Sequence, residues 1–160
     1  MRILWAPWRR EYVRKADSRE CFLCEALKKV DGEENLILKR GKWSFIILNR
    51  FPYNSGHLMV APLRHEGELL RLTQEEKKEI WELMELSLKL LSKVYNPHGF
   101  NIGINIGRPA GAGLITHFHL HIVPRWEGDT NFLPVFSQTK VIPEALEESY
   151  RRLKEGLEDL

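Results

Sequence analysis

The chain is poor in several features that would each place it in a class. It has two cysteines in 160 residues, too few for the disulfide framework of a small secreted domain. Its formal charge is only +2, so nothing in its overall balance points to a protein that coats duplex nucleic acid. No stretch is apolar for long enough to span a bilayer. The start, Met1-Arg2-Ile3-Leu4-Trp5-Ala6-Pro7-Trp8-Arg9-Arg10, has too short an apolar run for a signal peptide. Internal repeats and low-complexity linkers are also missing. What remains is the composition of a soluble globular chain, 43% hydrophobic and 29% charged, long enough for one proper core. The expectation is a single domain over 1–160 in the cytoplasm, with an N-terminal arm over 1–17 and a C-terminal helix over 143–160.

Histidine is where this sequence is rich. Three stand at alternate positions in one apolar stretch, His117-Phe118-His119-Leu120-His121-Ile122-Val123. Alternation at period two predicts a strand with all three imidazoles on one face, and Phe118, Leu120 and Ile122 on the other. Half of the six histidines of the chain fall within five residues, which makes a chance cluster a poor explanation. Imidazole serves near neutral pH as nucleophile, acid, base or metal ligand.

The surrounding pattern predicts an α+β fold. Asp17 or Ser18 caps a helix through Cys21 to about Val30, stopped by Asp31-Gly32. Leu36–Lys39 and Lys42–Leu48 read as strands around a turn at Arg40-Gly41, and His57–Ala61 as another. Thr73 with Glu76 forms a capping box for a helix to Tyr95, whose Ile80, Leu83, Met84, Leu88 and Leu91 keep helical spacing. Gly99–Ile106 reads as a strand, residues 107–113 as a glycine-rich loop, and Pro143 onward as an amphipathic helix with proline in its first turn. Strands grouped with a few helices, without strict alternation, favour an antiparallel sheet.

The loop from Gly107 to Gly113 runs directly into the histidines. Glycines such as Gly111 and Gly113 let backbone N–H groups approach anionic oxygens. Asn105 can donate an amide N–H to phosphate. Arg108 can also contact it, although a solvated arginine is the usual outcome. Cys21 and Cys24 form a C-x-x-C pair, which in a reducing compartment suits metal binding or redox chemistry, or is simply two reduced core thiols.

The stretch His117–Val123 resembles the H-φ-H-φ-H-φ-φ signature of the histidine-triad (HIT) family of nucleotide hydrolases and transferases. Leu48-Asn49-Arg50-Phe51-Pro52 and Gly56-His57-Leu58-Met59-Val60-Ala61-Pro62-Leu63-Arg64 resemble the family's nucleoside-binding half. Pro124-Arg125-Trp126 and Trp5-Ala6-Pro7-Trp8-Arg9 resemble the family's dinucleoside polyphosphate branch, and Gly128–Val135 is similar to the segment after the triad in bacterial diadenosine tetraphosphate phosphorylases. The resemblance covers roughly residues 1–146. It implies a five-stranded antiparallel sheet with helices, continued across a homodimer, the long helix and the Trp-rich arm being candidates for the interface. It implies His119 as a nucleophile that forms a nucleotidyl-imidazole intermediate, its other ring nitrogen held by a main-chain carbonyl. His121 and His57 would bind non-bridging phosphate oxygens and Asn49 the ribose hydroxyls.

The substrate implied is a mononucleotide or dinucleoside polyphosphate, with inorganic phosphate or water as acceptor, and no organic cofactor, membrane or nucleic-acid polymer. Many members carry Gln four residues before the first triad histidine, where this chain has Gly113. That departure favours a phosphorylase, giving ATP and ADP, over a dinucleoside polyphosphate or phosphoramidate hydrolase. Some bacterial members similar to this chain gather Cys21, Cys24, His65 and His117 around a structural zinc. The rivals outside enzymology are a nucleotide-binding signalling module and a zinc-dependent redox or scaffold protein. An intact His119 speaks against a pure binder.

Overall fold

The computed structural model describes residues 21–129 and 142–160. The arm over 1–17 and the segment over 130–141 lie outside the described residues. The elements run α1 (Phe22–Leu27), β1 (Ile37–Arg40), β2 (Ser44–Leu48), β3 (Leu58–Pro62), α2 (Gln74–Tyr95), β4 (Gly99–Ile104), β5 (Leu120–Arg125) and α3 (Leu146–Glu158). Single turns of 3-10 helix stand at Leu69–Arg71 and Arg108–Ala110. No helix among the described residues is long and apolar enough to cross a membrane.

The strands form one antiparallel sheet in the order β1-β2-β3-β5-β4, as the α+β reading expects. Every residue of β2 and β3 is buried, so these central strands read as apolar runs rather than alternations. α2 crosses β2, β3 and β5, and α3 packs on α2 and β1. The core gathers Phe45, Ile47, Leu58, Val60, Leu90, Leu91, Ile122 and Leu153.

Local chemistry accounts for the elements. Thr73 and Glu76 close the expected capping box. α2 ends at Asn96, in the left-handed conformation that asparagine tolerates. Midway along α2, Glu79 reaches the β1–β2 turn and accepts the N–H groups of Lys42, Trp43 and Ser44 at 2.8, 2.6 and 2.5 Å. A Cβ at Gly41 would stand 2.6 Å from that carboxylate, so the turn needs a glycine there.

Strands β1, β2 and β3 lie within two residues of expectation, and other boundaries differ as follows. α1 stops at Leu27 rather than near Val30, because Asn35 and Arg40 take the carbonyls of Ala26 and Leu27, and also that of Lys29. β4 ends at Ile104 rather than Ile106. α3 begins at Leu146, not at Pro143, so the proline precedes the helix instead of opening it. Glu144 is drawn away from the helix axis to accept from Tyr95, Ser149 and Arg152. The paired part of the triad strand begins only at Leu120. His117 and His119 precede it, where Phe118 N–H bonds Glu66 O at 2.7 Å instead of a neighbouring strand.

Candidate active site

Three structural elements carry the histidines. His57 stands just ahead of β3, His121 lies in β5 opposite Met59 of β3 and Gly103 of β4, and His119 stands just ahead of β5. All are buried, His57 completely. The rings of His57 and His121 lie 5.1 Å apart, and those of His119 and His121 4.8 Å apart. The fold therefore brings together the residues the sequence singled out as catalytic.

Hydrogen bonding assigns their tautomers. His119 Nδ1 lies 2.9 Å from His117 O, which can only accept, so Nδ1 carries the proton and Nε2 keeps its lone pair. Tyr53 N–H donates to His57 Nδ1 at 3.0 Å, so the His57 proton sits on Nε2. That Nε2–H donates to His121 Nδ1 at 3.0 Å, which leaves the His121 proton on its own Nε2. A main-chain amide thus sets, through two rings, the face that His121 presents. Asn49 supports the same relay: its Nδ2 donates to His57 Nδ1 at 3.3 Å and its Oδ1 accepts Phe51 N–H at 3.0 Å.

Burial keeps His119 and His121 neutral near pH 7. It lowers His121 to about 4, with His119 adding to the effect. It also lowers His119, against the opposing pull of the His117 carbonyl. A neutral imidazole with a bare Nε2 is a nucleophile, and a neutral imidazole with Nε2–H is a donor to an anionic oxygen.

A second cluster adjoins the first. One ligand atom each from Cys21, Cys24, His65 and His117 lies within 4.8 Å of every other. His117 Nδ1 is 3.3 Å from Cys21 Sγ and 3.5 Å from Cys24 Sγ, and His65 Nδ1 is 3.2 Å from Cys24 Sγ. A sulfur–nitrogen edge of a tetrahedral site built on ordinary metal–ligand bonds measures about 3.6 Å. The donor set and its spacing fit a closed four-coordinate metal site. The far nitrogen of His117 meets Pro62 O at 2.8 Å, the outer bond that orients a ligating imidazole. Burial, followed by neighbouring Cys21, pushes the Cys24 thiol up to about 11 when no cation offsets them. Burial lowers His117 to about 4, keeping it neutral and able to ligate.

The remaining candidates lie in the loop before the triad. Gly107 and Gly111 adopt positive φ around the turn at Arg108–Ala110, which explains the glycines. Asn105 lines an open groove beside His121; Arg108, Gly111 and Gly113 do not. Reasoning from the sequence missed Tyr53 and Asn101, which line that groove, and quoted Arg125 only within a similar segment. The ring of Tyr53 lies 4.6 Å from that of His57. Tyr53 sits in the Pro-Asn-Gly loop over 49–56, where only its closeness to Gly56-His57 could have drawn notice.

Residues 32–128 match the HIT domain, and the chain belongs to the HIT family. It is 39% identical over 158 residues to an AP-4-A phosphorylase of Mycobacterium tuberculosis (strain ATCC 25618 / H37Rv), covering 94% of this chain and 81% of the relative. It is 30% identical over 113 residues to an asymmetrical bis(5'-nucleosyl)-tetraphosphatase of Schizosaccharomyces pombe, covering 71% of this chain and 58% of that protein. Among solved structures, a hypothetical histidine triad nucleotide-binding protein of Sulfolobus tokodaii matches with a TM-score of 0.70 and 26% identity, over 88% of this chain and 93% of that one. A Zn-bound histidine triad family protein of Mycobacterium smegmatis shares the fold, with a TM-score of 0.68 and 23% identity over 88% of this chain and 94% of that one.

The tautomer assignment is directly measurable. Long-range proton–nitrogen spectra at neutral pH should show His119 protonated on Nδ1, and His57 and His121 protonated on Nε2. A His119 protonated on Nε2 would contradict the carbonyl lock.

Proposed function

We propose that the chain is a diadenosine tetraphosphate phosphorylase working through a nucleotidyl-histidine intermediate on His119. The observation that carries this is the lock between His119 Nδ1 and the His117 carbonyl, which leaves Nε2 as a nucleophile. In the first half-reaction Nε2 attacks the α-phosphorus. A P–N bond forms, the P–O bond to the rest of the chain breaks, and ATP departs with the bond's electron pair. In the second, an oxygen of inorganic phosphate attacks the same phosphorus. The P–N electron pair returns to Nε2 and ADP leaves, so tetraphosphate plus phosphate gives ATP plus ADP. Covalent transfer divides one difficult displacement into two easier ones.

His121 donates Nε2–H to a non-bridging oxygen in this reading. His57 is fully enclosed, so it assists through His121 rather than by touching phosphate. Asn49 Oδ1 keeps a lone pair for a ribose hydroxyl beyond the Phe51 N–H it already accepts. Asn105, which lines the groove beside His121, receives the acceptor there once ATP has left; Arg108, Gly111 and Gly113 stand outside that lining. Two things favour phosphate over water: Gly113 stands where many hydrolases carry Gln, and the similarity to the mycobacterial phosphorylase spans most of both chains. Incubation with diadenosine tetraphosphate should go faster with inorganic phosphate and yield ATP and ADP. His119→Ala should lower kcat on the order of a thousandfold or more. Accumulation of AMP, at a rate indifferent to phosphate, would instead make this a hydrolase.

Cys21, Cys24, His65 and His117 hold a structural zinc in the same proposal. All four positions are filled by protein, so the ion would tie α1 to the segments before α2 and β5 and take no part in bond breaking. Protein purified without chelator should contain about one zinc per chain. Cys24→Ser should lose the metal and melt at lower temperature, since binding free energy of a structural ion is folding free energy. Wild type free of zinc and equally stable with chelator would remove the ion from the account.

The enzyme is further proposed to work as a homodimer in which two sheets join through β4. That strand is the sheet edge, and Ile102 and Ile104 are 44% and 38% exposed along it. Exposed apolar edges invite strand pairing. Light scattering should give a dimer mass for the wild type, and Ile104→Lys should shift it toward monomer. A monomeric wild type at micromolar concentration would refute the joined sheet.

A further inference from the structure

A groove of ≈ 280 Å³ runs along the sheet from His121 toward the far end of β5. Tyr53, Asn101, Gly103, Asn105, His121 and Arg125 line it. The strand register explains its shape. Gly103 is the β4 partner of His121, and Asn101 is the partner of Val123. Positions 101 and 103 share a face of β4, as 121, 123 and 125 share a face of β5. Position 103 has no side chain, so the sheet is open directly beside the His121 ring, and a Cβ there would meet nothing within 4 Å. The groove begins at a triad histidine, and no carboxylate lines it.

Arg125 closes the far end. Four residue rises of extended strand, about 13 Å, carry the main chain from His121 to Arg125. Its Nε and Nη2 donate to Asp129 at 2.6 and 2.8 Å, and its Nη1 donates to Asn101 Oδ1 at 2.6 Å. Asp129 also accepts from Asn54 Nδ2 at 2.8 Å and Trp126 N–H at 3.2 Å, and it stays out of the groove lining. These bonds use three of the five guanidinium N–H groups and leave one on each terminal nitrogen. An arginine pinned along one edge presents the others as rigid, charge-assisted donors.

A phosphate at His121 occupies one end of the groove and the Arg125 guanidinium lines the other, so a chain of phosphates laid along the groove meets both. We propose that this groove receives the polyphosphate leaving group, and that Arg125, pinned by Asp129 and Asn101, contacts its distal phosphates and selects substrates with a long phosphate chain. The proposal rests on the nucleotidyl-transfer reading above. Only phosphates beyond the α-phosphate enter the groove. A ligand that ends at the α-phosphate leaves it empty, and its affinity does not depend on Arg125.

Equilibrium titrations of the His119→Ala chain, which forms no covalent intermediate, test this with AMP and diadenosine tetraphosphate as probes. Adding Arg125→Gln should weaken the tetraphosphate at least tenfold and AMP less than twofold. Gly103→Val is the second variant. It fills the open space beside His121, leaves the Arg125–Asp129 pair intact, and should discriminate between the two ligands in the same way. Equal weakening of both ligands, or no change in either, overturns the groove assignment. AMP binding without any preference for the tetraphosphate sinks the groove alone. Failure of both wild type and His119→Ala to bind AMP would sink the nucleotide reading and the groove with it.

Discussion

His117 is held at both ends of its own residue, and the site depends on that. Its ring stands between Cys21, Cys24 and the Pro62 carbonyl. Its main-chain carbonyl accepts from His119 Nδ1. A shift of this residue would therefore reach His119 as a change of tautomer, not merely as a loosened contact. Because His117 and His119 lie ahead of the paired part of β5, no strand ladder fixes their backbone. The Phe118–Glu66 bond and the cysteine–histidine cluster do that work instead. A cluster that would elsewhere only staple two segments here also sets the direction of a lone pair.

A second constraint runs from the opposite side. His57 is fully buried in the middle of the sheet, and a buried imidazole without partners would be costly. Tyr53 N–H, Asn49 and His121 satisfy it, and in doing so they orient His121. The loop that carries Tyr53 is shaped by Gly56, which needs positive φ and lies so close to Tyr95 of α2 that a Cβ would stand 2.9 Å from the ring. Core packing of the long helix thus reaches the donor face of a triad histidine in few steps. Tyr95 is in turn tied to Glu144 and Arg152 ahead of and within α3, so the terminal helix buttresses the same loop.

Much of this was legible beforehand, for physical reasons. The capping box of Thr73 and Glu76 and the helical spacing behind it are local signals, and α2 formed where they said. The period-two histidines announced a strand, since alternation is a property of the pleat. Three of the boundaries that shifted answer to partners outside the element concerned: Asn35 and Arg40 ending α1, Tyr95 and Arg152 holding Glu144 outside α3, Glu66 drawing the backbone before Leu120. Among site residues, His119 and His121 stood out by their alternation and His57 by the resemblance of its segment, while Tyr53 and Asn101 carry no pattern of their own.

The sequence by itself determined the chemical inventory: three histidines at alternate positions and a fourth at position 57, a thiol pair, and the apolar periodicities that make an antiparallel sheet with a long helix across it. Those are facts of composition and spacing, which the chain carries before it folds. Only the tertiary structure decided which nitrogen of each imidazole holds its proton. It also decided that His65 and His117 come to the cysteines, and that Gly103 leaves the sheet open beside His121 with Arg125 at the far end. Proton placement depends on a carbonyl or amide within about 3 Å of a ring. Such a neighbour is chosen by strand register and packing between residues far apart along the chain.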